Sequence, residues 1–202
     1  MLLKIHPENP SARQIKHVVD ILDSSGVAII PTDTIYALVC DIGRPKAIEK
    51  IARIKGVKKE KANFSFLFHD LSQLSDYTKP IRNEVFKLMK STLPGPFTYI
   101  LSANNNVPRI FQSNKKTIGI RIPDNNIVAE VIRELGHPIM STSIHDEDEI
   151  VEYTTDPELI YEKYKKTVDV VVDGGSGGNV PSTIVDCTSD EALITREGKG
   201  DL

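Results

Sequence analysis

Four polar clusters in this chain carry residue types able to hold carboxylate or phosphate oxygens. The first is Pro31-Thr-Asp-Thr-Ile-Tyr-Ala-Leu, in which Thr32, Thr34 and Tyr36 supply hydroxyls. The second is Arg53-Ile-Lys-Gly, where Lys55 precedes further lysines. The third combines Arg121 with Ser141 and Ser143, and the fourth combines Ser182 and Thr183 with Arg196. Converging hydroxyls and cations suit an anion, because a charge-assisted hydrogen bond is roughly twice as strong as a neutral one. Each cluster also has a plainer use. Thr32 and Thr34 can satisfy backbone groups in a turn. Lys55 can be a solvated cation at a helix C-terminus, and Ser182, Thr183 and Arg196 can serve a hairpin. Arg121 is more constrained: flanked by isoleucines, its guanidinium must be paired or leave the sheet at an edge.

Other motifs favour bland readings. Asp173-Gly-Gly-Ser-Gly-Gly-Asn looks like a phosphate cradle, but it lacks the Lys-Ser/Thr end of a P-loop and no helix pattern follows. A mobile connecting loop is the expectation. The acidic run after His145 reads as a solvated loop, since consecutive acids cannot all face one ion. Cys40 and Cys187 lie in apolar, strand-like stretches and read as buried small hydrophobes. His137, before Pro138, reads as structural. The chain has no nucleophile elbow, zinc spacing or dinucleotide fingerprint, so no bound metal is expected.

These residues need a scaffold, and the hydrophobic pattern supplies one. Ile15, Val18, Val19 and Leu22 share one helix face, closed by Gly26, and Val27 to Ile30 reads as a buried strand. Pro45 opens a second helix with Ile48, Ile51 and Ala52 inward. Ile81, Val85, Leu88, Met89 and Thr92 mark a third, and Ile127, Val128, Val131, Ile132 and Leu135 a fourth. Asp156-Pro157 is a cap pair for a fifth. Strands are expected at 64–68, 97–101, 117–122, 138–142, 168–172, 182–186 and 192–196, the last two as an antiparallel hairpin. The pattern predicts a single-domain α/β fold of α+β type over residues 1–202: a mixed sheet with helices on both faces.

Composition agrees with one globular domain: 202 residues, 40% hydrophobic and 26% charged. No apolar stretch approaches the roughly 20 residues that span a bilayer. The N-terminus lacks the layout of a secretory leader, so the expected location is the cytoplasm. The net charge of -3 conceals an asymmetry, with eight basic and two acidic residues from Arg44 to Lys61. From Asp146 to Glu162 there are eight acidic residues and no lysine or arginine. Arg44, Lys46, Lys50, Arg53, Lys58, Lys59 and Lys61 therefore form a candidate RNA-binding face, with a solvated helix face as the alternative.

Seven motifs in order resemble the YrdC superfamily: Pro31-Thr-Asp-Thr-Ile-Tyr-Ala-Leu, Arg53-Ile-Lys-Gly, Leu93-Pro-Gly-Pro-Phe-Thr, Gly119-Ile-Arg-Ile-Pro-Asp, Pro138-Ile-Met-Ser-Thr-Ser, Pro181-Ser-Thr-Ile-Val-Asp and Arg196-Glu-Gly. The resemblance spans residues 10 to 200 and implies a twisted, YrdC/RibB-like sheet around a central positively charged cavity. It implies threonylcarbamoyl-AMP synthase chemistry, in which L-threonine, bicarbonate and ATP with Mg²⁺ give threonylcarbamoyl-AMP and pyrophosphate for modification of adenosine 37 in tRNA. Carried over, Lys55 and Ser143 would be catalytic. Thr32, Thr34, Tyr36 and Arg121 would bind threonine. Lys55, Ser141, Ser143, Ser182, Thr183 and Arg196 would bind the nucleotide.

The Ala37 and Phe64-Ser-Phe-Leu-Phe variations, with no Ser-Gly after the third cluster, resemble the YciO-type branch, and two further positions depart from the synthase pattern. Val57 stands where synthases carry arginine, and His145 where they carry asparagine. Valine donates no hydrogen bond, so one phosphate contact is missing unless Lys58 or Lys59 replaces it. The two functional expectations are accordingly a synthase-like nucleotidyltransferase and a YciO-type paralogue that binds double-stranded RNA, tRNA or rRNA.

Overall fold

The computed structural model describes residues 1–56, 64–108, 116–144 and 154–202. In chain order its elements are β1 (Leu2–Lys4), α1 (Ala12–Asp23), β2 (Ala28–Ile30), β3 (Ala37–Asp41), α2 (Pro45–Ile54), β4 (Ser65–Leu67), α3 (Asn83–Thr92) and β5 (Phe97–Ser102). There follow β6 (Thr117–Arg121), α4 (Asn126–Leu135), β7 (Ile139–Ser143), α5 (Pro157–Tyr164), β8 (Val170–Asp173), β9 (Thr183–Asp186) and β10 (Leu193–Arg196). All ten strands of the described residues join one mixed sheet in the order β1-β8-β2-β3-β7-β4-β6-β5-β9-β10. The expected hairpin is present, with β10 antiparallel to β9.

Helix ends fall where local chemistry stops them. The Asn125 side chain accepts the Val128 N–H to start α4, and Gly136, at φ 83°, ends it in the left-handed region glycine tolerates. Asp156 accepts the Glu158 and Leu159 N–H groups at 2.8 and 3.4 Å, with Pro157 as the first helical residue of α5.

Two apolar layers sandwich the sheet. On one side α1 (Ile15, Val18, Leu22) and α4 (Val128, Val131, Ile132) cover Ala28, Ile30 and Val172. On the other, α2 (Ile48, Ile51), α3 (Val85, Met89) and α5 (Ile160) belong to one apolar cluster with Ile29, Leu38 and Val171. The alternation of Ala28, Ile29 and Ile30 between layers is the period-two rule of a strand buried on both faces.

Twist is what brings distant strands to one place. Arg121 shares a row of the sheet with Leu67, Ile139 and Asp41, whereas Ile30 shares a row with Ala37 and Ser143. Those rows lie four residues apart, or about 13 Å along the strands. The Arg121 guanidinium nevertheless reaches Asp33, in the loop just after Ile30, at 2.9 Å. Four strand-to-strand steps separate β2 from β6, and at about 20–25° each they turn β6 nearly across β2. That rotation carries the end of β6 over the β2–β3 loop.

Ile29 is fully buried between β8 and β3. Ile29→Ala should cost about 2–5 kcal/mol in urea unfolding, because the centre of a sheet relaxes poorly around a cavity. A loss below about 1 kcal/mol would mean that this layer is loosely packed.

Candidate functional site

The loop from Thr32 to Tyr36 joins β2 to β3 and is held by its own hydroxyls. Thr32 Oγ1 donates to the Ile35 carbonyl at 2.8 Å and accepts from the Thr34 N–H at 3.1 Å. With its one proton spent, Thr32 must accept in the 3.1 Å contact between the two threonine hydroxyls, so Thr34 is the donor there. Thr34 in turn accepts from Arg121 Nη2 at 2.9 Å. The result is a directed relay from Arg121 through Thr34 and Thr32 to the Ile35 carbonyl, whose members strengthen one another.

Arg121 is the buried charge at the head of that relay. Its side chain is 10% exposed and that of Asp33 is 8% exposed. Nη2 donates to Asp33 Oδ1 at 2.9 Å, and Asp33 Oδ2 accepts the Asp124 N–H at 3.3 Å. Burial pulls the guanidinium pKa down; Asp33 opposes the shift and nearby Arg196 adds to it. Among the described residues Arg121 Nε is buried with no partner. The sequence thus foresaw that Arg121 had to be paired but did not name Asp33, which lies 88 positions away.

Tyr36 and the glycine-rich segment correct one expectation. Residues 173–178 are docked on the Thr32–Tyr36 loop instead of linking strands loosely. Tyr36 donates to the Gly175 carbonyl at 2.7 Å and accepts from the Gly174 N–H at 3.3 Å, while the Gly178 N–H donates to the Thr34 carbonyl at 2.8 Å. A Cβ on Gly177 would fall 2.6 Å from the Tyr36 ring, and one on Gly178 2.5 Å from the Thr34 carbonyl oxygen. Glycine is needed here for close approach, a use that sequence alone does not separate from flexibility. Burial, followed by the charges of Asp173 and Asp156, raises the Tyr36 pKa to about 12 against the lowering hydrogen bond from Gly174.

The adenylate candidates divide. Ser182 is buried, its hydroxyl 2.7 Å from that of Thr98, and Arg196 Nη2 donates to the Ser182 carbonyl at 2.7 Å. Thr183 is spent on the chain itself: its hydroxyl donates to the Gly200 carbonyl at 2.6 Å and accepts the Gly198 and Gly200 N–H groups at 3.1 Å each. One proton and two lone pairs are thereby used, so Thr183 has nothing left for a nucleotide in this conformation. Ser141 donates to the Ser65 carbonyl at 3.2 Å, and Ser143 is exposed beside Ala37 at the end of β7. Lys55 caps the C-terminus of α2, half-buried. Thr98 and Lys199, whose Nζ donates to the Asp33 carbonyl at 2.6 Å, belong to the same constellation and carried no sequence signal.

The basic face is also changed. Arg44 pairs with Asp23 and Asp41, and Lys50 with Asp169 at 2.8 Å. Carboxylates remote in sequence, or hidden in the strand pattern, spend those two cations. Lys46 and Arg53 are exposed; Lys58, Lys59 and Lys61, like Val57 and His145, lie outside the described residues. Two surface clefts, of about 200 Å³ beside Arg82 and Ser189 and about 370 Å³ between His17 and Lys50, contain none of the threonine or nucleotide candidates. No described helix is long and apolar enough to cross a membrane.

Comparison with known proteins adds context to this geometry. The family model Sua5_yciO_yrdC, described as "Telomere recombination", matches residues 20–198. The uncharacterized protein YciO of Escherichia coli is 41% identical over 200 residues, covering 98% of this chain and 95% of that protein. Its crystal structure superposes with a TM-score of 0.91 over 100% of this chain and 97% of that one. A threonylcarbamoyl-AMP synthase of Nitrosococcus oceani is 29% identical over 181 residues, covering 89% and 96%. The P. abyssi Sua5 structure complexed with L-threonine shares the fold at a TM-score of 0.88 and 24% identity, over 98% of this chain and 57% of that one.

The Tyr36 pKa, raised from the ordinary 10.0 to about 12, carries a stability consequence. Above pH 10 the unfolded chain sheds the phenolic proton while the folded chain keeps it, so stability falls as pH rises from about 10 to about 12. Tyr36→Phe should lose about 1 kcal/mol at neutral pH and show a shallower alkaline decline in urea unfolding. Parallel pH profiles for the two proteins would contradict the burial of this hydroxyl.

Proposed function

The chain belongs to the Sua5/YciO/YrdC family, and on that premise we propose that it binds L-threonine and ATP and forms threonylcarbamoyl-AMP. The observation that carries the reading is Arg121: a buried guanidinium, oriented by Asp33 and Thr34, with an unspent donor at Nε. A cation desolvated in this way gains from an incoming carboxylate, because charge-assisted hydrogen bonds are worth about 1.5–3 kcal/mol each. The L-threonine carried by the P. abyssi Sua5 structure and the synthase name of the Nitrosococcus oceani relative support the same ligand class.

The chemistry then follows a balanced course. The threonine amine and bicarbonate combine to a carbamate with loss of water. A carbamate oxygen attacks the α-phosphorus of ATP, and the bond to the β-phosphate breaks, releasing pyrophosphate. Mg²⁺ enters as part of the ATP complex. Arg121 and the Thr32–Tyr36 loop that orients it hold the amino acid, Thr32 Oγ1 taking no direct part because its proton and both lone pairs are used within the loop. Ser182 and Arg196 serve the adenylate, with Lys55, Ser141 and Ser143 as its further contacts. Such a site acts mainly by positioning and by stabilising charge at the α-phosphate. The product is an activated acyl donor suited to modifying adenosine 37 of tRNA, and the ATP it requires fits a cytoplasmic protein.

The test is release of pyrophosphate from ATP, dependent on both L-threonine and bicarbonate. The unaltered chain should show it, and Arg121→Met should lower it by about a hundredfold or more. No release at high protein concentration would overturn the reading. Release only after Val57→Arg with His145→Asn would assign the pocket of the natural chain another task and favour RNA binding.

A further inference from the structure

We propose that Lys199 is a positioning residue for the amino-acid half of the site, and that the segment around it, 197–200, is the strap that aims it. This rests on the reading that Arg121 and the Thr32–Tyr36 loop hold the amino acid. After β10 the chain turns back over the starts of β9 and β5. The Lys199 N–H donates to the Pro181 carbonyl at 2.8 Å, and the Gly198 and Gly200 N–H groups both converge on Thr183 Oγ1 at 3.1 Å. A Cβ at Gly198 would fall 2.3 Å from the Pro181 carbonyl oxygen, and one at Gly200 2.5 Å from the Phe97 ring. The backbone on both sides of Lys199 is therefore clamped against β9 and β5 at positions where only glycine fits, and that clamp gives the lysine stem a fixed origin.

From there Nζ reaches the Asp33 carbonyl at 2.6 Å, 166 positions away in sequence. Asp33 is the residue whose carboxylate holds Arg121, at 2.9 Å. Its carbonyl belongs to the same peptide group as the Thr34 N–H, which donates to Thr32 Oγ1 at 3.1 Å. A cation on the carbonyl polarises that peptide and strengthens its N–H as a donor. Lys199 thus acts on both arms of the constellation: on the Asp33 side chain by fixing its backbone, and on the threonine hydroxyl relay through the peptide. An exposed lysine ordinarily keeps its rotamer freedom in water; here it is spent on one carbonyl of the loop that orients the buried guanidinium.

The experiment compares the unaltered chain with Lys199→Ala and Lys199→Arg. L-Threonine and ATP affinities are measured separately by calorimetry, with thermal melting and amide hydrogen exchange across residues 31–36 and 174–178. For Lys199→Ala, L-threonine should bind about tenfold more weakly, a loss of one charge-assisted contact acting at second hand. ATP affinity should stay within about twofold, and the melting temperature within about 2 °C, as expected for an exposed position. The Thr34 and Gly178 amides should exchange about tenfold faster as the loop loosens. Lys199→Arg, which can still donate to the carbonyl, should restore threonine affinity to within about threefold. Unchanged loop exchange in Lys199→Ala would overturn the proposal, as would equal loss of both ligands with a large fall in melting temperature that arginine does not rescue. If the natural chain binds no L-threonine, the proposed function fails, and the exchange rates still decide whether Lys199 sets the loop.

Discussion

A guanidinium removed from water on the flank of a β-sheet must be answered by a carboxylate, and in this fold the answer comes from the opposite part of the sheet. Arg121 ends β6 and Asp33 sits in the β2–β3 loop, with three strands between β2 and β6 in the sheet order. Their meeting requires the accumulated twist, and the twist requires the apolar layers of α1 with α4 and of α2, α3 and α5 to hold the sheet from both sides. A buried ion pair of this kind adds little net stability, because desolvation roughly cancels the attraction. Retaining a charge in such a place therefore makes more sense as a means of receiving an anion than as a means of holding the fold together.

The surroundings of the pair fit that view. The Thr32–Tyr36 loop is gripped from one side by the glycine segment, through Tyr36 to Gly175 and Gly178 to Thr34, and from the other by Lys199 on Asp33. Close-approach glycines at Gly177, Gly178, Gly198 and Gly200 let both segments lie tight on their neighbours. Hydroxyls within the loop then pass the orientation of Arg121 onward to the Ile35 carbonyl. In the proposed role of this loop, so many contacts would hold its donors in place before a ligand arrives, which lowers the cost of binding.

Much of this architecture is written in local patterns. The 3.6-residue spacing of Ile15, Val18, Val19 and Leu22 and the Asp156-Pro157 cap each act within a few residues, and the corresponding helices lie where they were expected. The antiparallel hairpin of β9 and β10 was legible for the same reason. β1 escaped because three residues, Leu2 to Lys4, are too few to show a period; they are a strand only because β8 offers its edge. The carboxylates that answer Arg121 and Lys50, the Asp23 partner of Arg44 and the saturation of Thr183 depend on contacts between separate elements of the chain, which no local pattern encodes. Asp173-Gly-Gly-Ser-Gly-Gly-Asn shows the limit most clearly, since glycine marks freedom and tight packing with the same letter.

The measurement that bears most directly on this account is a double-mutant cycle on Arg121→Met and Asp33→Asn, read by urea unfolding and by L-threonine titration. If the pair is kept for ligand binding, each single substitution costs about 3–5 kcal/mol by stranding a buried charge, while the double variant regains most of that loss. Neither variant lacking Arg121 then binds L-threonine. Additive losses of stability in the double variant, or threonine binding that survives without Arg121, would contradict it.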